Sequence, residues 1–132
     1  MNDLETAINT KLSAGTALVA LLGGTAIYNT VAPQDAALPF VVFWNAAGRE
    51  DNTSPRRART CLYAVVAEAD TALVAGAIDA AVDALLHGQS LSITGWSDYW
   101  MARELDVSYA ERVANGGVIF HRGAQYRIRT NK

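Results

Sequence analysis

The sequence predicts an α+β fold, an antiparallel or mixed β-sheet packed by an N-terminal helix and a central helix. Three observations carry that expectation. An alanine-rich segment ending at His87-Gly88 repeats apolar residues at helical spacing, and apolar runs of strand character lie on both sides of it. Asn115-Gly116, between two alternating segments, is the strongest short hairpin signal in the chain.

Each element has its own local reason. Leu4, Ile8 and Leu12 recur every four residues and so share one face of a first helix. Asn2 and Glu5 have the spacing of a capping box at its start. Gly15 interrupts this helix. Thr16 opens a second, shorter one carrying Leu18, Leu21 and Leu22, which Gly23-Gly24 stops. Ala26 to Val31 reads as a short strand. Pro39 leads into Phe40-Val41-Val42-Phe43-Trp44, an apolar run that suits a strand covered on both faces. From Gly48 to Pro55 every signal is loop, and Arg59 to Glu68 returns to strand.

The central helix is capped by Asp70 or Thr71. Its apolar stripe is Val74, Ile78, Val82 and Leu85, with Gly76, Asp79 and Asp83 on the other, solvated side. A short strand around Leu91 to Thr94 follows. The hairpin, centred on Asn115-Gly116, is expected to pair Val113 with Val118, Tyr109 with Arg122, Val107 with Ala124, Leu105 with Tyr126 and Arg103 with Ile128. Leu105, Val107, Tyr109, Phe120 and Tyr126 then share a buried face. Glu104 meets Arg127 on the other, and Gly123 is where a bulge would shift the outer pairs.

Bulk properties set the limits. A chain of 132 residues with 51% apolar and 18% charged content is expected to form one domain over residues 1–132 with a real core. Cys61 is the single cysteine, so an intrachain disulfide and a thiolate metal cluster are excluded, and a buried small hydrophobe is its expected role. Asp3 and Glu5 give the N-terminus the wrong sign for a secretory signal. The most apolar window, Ala14 to Gly24, is about half the length that spans a bilayer. A protein of the cytoplasm in which it is made is expected. A net charge of -2 offers no general attraction to nucleic acid or anionic membrane.

The motifs of catalysis are missing. His87 and His121 lack ligand spacing. Asp79 and Asp83 lie four apart on a helix with no histidine or third carboxylate in the pattern. Ser13, Ser54 and Ser92 have no nucleophile-elbow context, and the Gly-Gly pairs precede no phosphate-binding helix. No enzyme, cofactor or metal is expected. Two features remain. The first is the run from Arg49 through Glu50, Asp51, Arg56 and Arg57 to Arg59, with four arginines and two acids from residue 48 to 59. It reads as a solvated loop, as a protein interface in which arginine pairs with carboxylates, or as a nucleic-acid contact. The second is Trp96-Ser97-Asp98-Tyr99-Trp100-Met101. Trp96, Tyr99 and Trp100 there suit core or edge packing, and equally the anchors of an interface.

The order of elements resembles the siphophage tail-completion family, the tail terminators. The residues that carry the resemblance are the Pro-led strand Leu38-Pro39-Phe40-Val41-Val42, the polar loop after it, the alanine-rich helix ending in Leu85-Leu86, and Gly117-Val118-Ile119-Phe120-His121-Arg122-Gly123 closing on Tyr126-Arg127-Ile128-Arg129. The resemblance covers nearly the whole chain, and the Trp96 to Met101 segment departs from the pattern. It implies a fold like that of the lambda tail terminator and a structural virion protein of a phage, prophage or gene transfer agent. The implied assembly is a homo-oligomeric ring, a hexamer, that caps the tail tube and stops its polymerisation. The implied partners are the tail tube protein and a head-completion or connector protein, at the head-proximal end of the tail. DNA passes through the lumen without specific binding, and neither cofactor nor membrane is involved. The rival reading is a small regulatory domain that binds a protein or nucleic acid.

Overall fold

The computed structural model describes residues 2–51 and 57–132, with the side chains of Asp98 and Tyr99 outside the description. The elements run α1 (Asn2–Ser13), α2 (Thr16–Leu22), β1 (Ile27–Asn29), β2 (Phe40–Glu50), β3 (Ala58–Ala69), α3 (Ala72–Leu86), β4 (Ser97–Arg112) and β5 (Val118–Asn131). The strands form one mixed sheet in the order β1-β2-β3-β5-β4, in which β1 and β2 are parallel and every other pair is antiparallel. This is the α+β fold the sequence predicts.

The helices lie on one face of the sheet. Leu4, Ile8 and Leu12 of α1, Leu18 and Leu22 of α2, and Ile78, Val82 and Leu86 of α3 form one buried cluster. Val41, Phe43, Cys61, Tyr63, Val65, Met101, Ala124, Tyr126 and Ile128 complete it from the sheet. The alternate strand residues Phe40, Val42, Ala64 and Val66 are also buried, on the opposite face, as the unbroken apolar runs of β2 and β3 require. Cys61 is buried and free, the small hydrophobe expected.

Local chemistry explains the helix ends. Gly23, at φ +72°, closes α2 in the left-handed conformation while its N–H and that of Gly24 satisfy the carbonyls of Ala20 and Val19. Thr71 caps α3 by accepting a hydrogen bond from the Val74 N–H at 3.2 Å. At α1 the expected capping box gives way to tertiary bonds. The Glu5 carboxylate accepts from Asn29 Nδ2 at 2.9 Å and from the Tyr63 hydroxyl at 3.2 Å. A buried tyrosine needs a partner for its hydroxyl, and here it fixes α1 to β3.

Several expectations are corrected. Gly48, Arg49 and Glu50 are not loop: β2 continues through them, pairing Gly48 with Cys61 and Glu50 with Arg59, so the polar residues form the projecting end of a strand pair. Residues 52–56, the middle of the expected loop, lie outside the described residues. Leu91 to Thr94 is no strand; Ile93 makes an isolated bridge to Trp96, and Leu91 and Ile93 are buried plugs.

The hairpin register slips by one residue. Val113 and Gly117 close the turn, with the Val113 N–H donating to the Gly117 carbonyl at 2.9 Å and the Gly116 N–H to the Val113 carbonyl at 3.0 Å. Only Gly116 takes positive φ, +86°, so three residues, Ala114 to Gly116, form the loop in place of a two-residue Asn-Gly turn. Arg112 therefore pairs with Val118, Tyr109 with His121 and Leu105 with Gln125. One residue of slip exchanges the faces. Leu105 and Tyr109 are exposed on the helix-free face, whereas Tyr126 is buried under α3. Gly123 is in register; the irregularities fall between Arg103 and Leu105 and between Asp98 and Trp100. Glu104, the extra residue of the first, still reaches Arg127 at 2.9 Å, but diagonally.

Candidate functional site

The far end of the β2–β3 pair gathers most of the expected interface residues. Because β2 outruns its partner β1 there, residues 45–50 are exposed, and their side chains find partners across the pair. Glu50 receives two bonds from Arg57, from Nε at 3.0 Å and from Nη2 at 2.5 Å, with Arg59 Nη1 at 3.7 Å. Arg49 Nε meets Asp51 at 2.9 Å, and the Thr60 hydroxyl also donates to Asp51. The Arg57 hydrogen bond holds the Glu50 carboxyl below its usual range, and the Thr60 bond does the same for Asp51. Both groups are therefore ionised throughout the neutral range.

Trp96 joins this end. Arg57 and Lys132 lie over its ring, at 6.0 Å and 5.7 Å from the centroid, and the Lys132 N–H donates to the Arg57 carbonyl at 2.8 Å. Trp100 stands apart on the helix-free face, opposite Arg129 in the β4–β5 ladder and 45% exposed. Gly48, Thr60, Cys61, Leu62 and Arg127 line a shallow hollow of about 340 Å³ beside it. The structure thus brings together Arg49, Glu50, Asp51, Arg57, Arg59 and Trp96 and sets Trp100 to one side. Arg56 and the Tyr99 side chain lie outside the described residues.

Two further groups escaped sequence reasoning because each joins residues far apart in the chain. Arg103 on β4 grips Asp79 through both Nη atoms at 3.0 Å, Asp106 through Nε at 2.8 Å and Asp83 at 3.5 Å. The Tyr126 hydroxyl donates to Asp83 at 3.0 Å. The aspartates expected on a solvated helix face instead tie α3 to the sheet. Burial against these acids pushes the Tyr126 phenol up, and the Asp79 bond raises the Arg103 guanidinium further.

The second group is Glu68, Glu111 and His121, placed by the ladders of β3, β5 and β4. Glu111 meets His121 Nε2 at 3.0 Å and Glu68 faces Nδ1 at 3.5 Å, while Tyr109 stacks on the imidazole at 4.2 Å. These three could offer one atom each to a metal ion, yet the carboxylates address opposite ring nitrogens and satisfy the histidine between them. Desolvation raises the Glu68 pKa above 4.5, and His121 only partly offsets this. The folded chain therefore holds this proton more tightly than the unfolded one. That stabilisation is present below the ordinary carboxylate pKa and is lost as pH rises through the raised value. Glu68→Gln should flatten that limb of a melting-temperature profile between about pH 4 and pH 7. An unchanged slope would contradict the assignment.

Chemically, the arginine-rich end is a rigid, internally paired surface with exposed edges, suited to fixing the register of a protein contact. A family model described as tail completion protein gp17 matches residues 6–130. Comparison with curated protein sequences finds no match. Among solved structures, a chain of the virion of a native gene transfer agent (GTA) particle aligns with a TM-score of 0.81 at 22% identity, covering 98% of this chain and 95% of that one. At that identity the likeness establishes a shared fold.

Proposed function

The chain belongs to the tail completion protein gp17 family, whose role is structural tail assembly, and from that premise we propose that it is a tail terminator. In this reading it forms a homohexameric ring that caps the tail tube, stops its polymerisation and offers the opposite surface to a head-completion or connector protein. It resides at the head-proximal end of the tail in the virion and assembles in the host cytoplasm. DNA crosses its lumen without specific binding, and no chemistry is performed.

The family match carries this reading, because it spans every element from within α1 to the last residues of β5. The paired arginine end supports it. In a ring each subunit presents one surface to a different surface of its neighbour or to a stacked partner, and pre-oriented charges fix that register without contributing to the core. Arg49, Glu50, Asp51, Arg56, Arg57, Arg59, Trp96, Tyr99 and Trp100 are the residues proposed for subunit or tail contact.

Native mass spectrometry of the purified chain tests the ring directly, with six copies expected. Arg57→Glu tests the surface. It reverses a charge that is largely exposed and pairs only with Glu50, so the melting temperature should stay nearly unchanged. Tails of irregular length, or tails without heads, should nevertheless appear in electron micrographs. Normal particles from a normally melting variant would return this end of the sheet to a solvated strand pair.

A further inference from the structure

Two faces of the fold lack partners, and they lie on opposite sides. Leu73, Ala77, Ala80 and Ala84 form a straight outer stripe on α3, all exposed. A helix that faces water normally carries charged residues along such a stripe. The two charged residues of α3, Asp79 and Asp83, are turned aside to Arg103. Leu73 is 84% exposed.

The other face is the helix-free side of the sheet. The ladders align Trp44, Ala64, Gln125 and Leu105 in one row, and Leu62 and Arg127 in the next but one. Leu105, Tyr109 and Trp100 are exposed here, over a floor of buried Val42, Ala64 and Val66. No helix packs on it. A sheet covered on one side only, with aromatic and aliphatic groups on the other, is the surface onto which a second layer fits.

We infer that the outer stripe of α3 in one copy docks on the helix-free sheet face of the next copy. Shape favours the match: small side chains on the helix let its backbone approach a sheet whose larger groups stand upright. Charge favours it too. The α3 segment has acids at Asp70, Asp79 and Asp83 and no basic residue, whereas Arg49, Arg127 and Arg129 border the sheet face. The two surfaces differ, so the contact runs head to tail and generates a ring when the rotation closes. This rests on the ring proposed above and names the contact that builds it.

The test uses two blocked chains. Ala77→Arg with Ala80→Arg puts bulk and positive charge on the helix stripe. Trp100→Glu with Leu105→Glu puts acids on the sheet face. All four positions are exposed, so circular dichroism and melting should match the parent chain. In sedimentation velocity the parent should be a ring, each blocked chain alone should be a monomer, and their equimolar mixture should form a dimer of about 28 kDa, twice the 14.1 kDa chain. Mixing restores one intact helix face and one intact sheet face, and therefore a single junction. A blocked chain that keeps the ring mass, a dimer of the helix-blocked chain alone, or a mixture that stays monomeric beside a ring-forming parent overturns this contact and leaves the ring standing. A monomeric parent overturns the ring and the contact together.

Discussion

Gly123→Ala should cost more than about 3 kcal/mol and leave little cooperatively folded protein. Gly123 sits mid-strand in β5, paired with Val66 on one side and Val107 on the other. An added Cβ would lie 2.2 Å from the Val65 carbonyl oxygen and 2.6 Å from the Val66 Cα. These are backbone atoms of the neighbouring strand, so no side-chain rotation relieves the clash. The sheet must open at its centre or the register must break. Gly76→Ala is the matching control. Its Cβ would meet nothing within 4 Å on α3, and the change removes a helix-interior glycine, so stability should rise by about 0.5–1 kcal/mol. Chemical denaturation of both variants reads the contrast. A Gly123→Ala chain with parental stability would show that β3 and β5 do not approach this closely.

What the sequence disclosed follows the range of its signals. Periodicity within one helix is local, so Leu4, Ile8 and Leu12 of α1 and Ile78 and Val82 of α3 are buried where their spacing puts them. The core edge of α3 was read slightly rotated: Ala75 and Leu86 are buried, and Val74 and Leu85 only partly so. Alanine is apolar without announcing a direction, which leaves the edge of such a stripe ambiguous. Strand existence was equally local, but register was not. It depended on whether Gly117 joined the strand or the turn, and its hydrogen bond to Val113 decided the matter for all of β4.

The charged groups were harder still. Arg103 reaches Asp79 across 24 positions, and His121 reaches Glu68 only because two ladders align. No spacing rule covers such distances. The arginine-rich segment was legible as a unit because its partners Glu50, Asp51 and Arg57 lie within one strand pair. Its reading as open loop failed at Gly48 to Glu50, where cross-strand pairing with Arg59 to Cys61 overrides polar composition.

Ile78→Asp and Asp79→Ala, neighbours on α3, should both destabilise the chain, to different degrees and for different reasons. Ile78 is fully buried in the main cluster. Aspartate there loses about 1.5–3 kcal/mol of apolar burial and places a carboxylate where the described core offers no cation, so the chain should unfold or aggregate. A solvated Asp79 would tolerate alanine within about 0.5 kcal/mol. The structure instead gives it two charge-assisted bonds from Arg103 on a half-buried seam between helix and sheet. Losing them should cost about 1–3 kcal/mol, less than Ile78→Asp because Arg103 keeps Asp106 and Asp83. A double-mutant cycle of Asp79→Ala with Arg103→Met isolates the pair, and its coupling should exceed about 1 kcal/mol. Coupling near zero, with Asp79→Ala neutral, would return this side of α3 to solvent and remove the tie that holds it to β4.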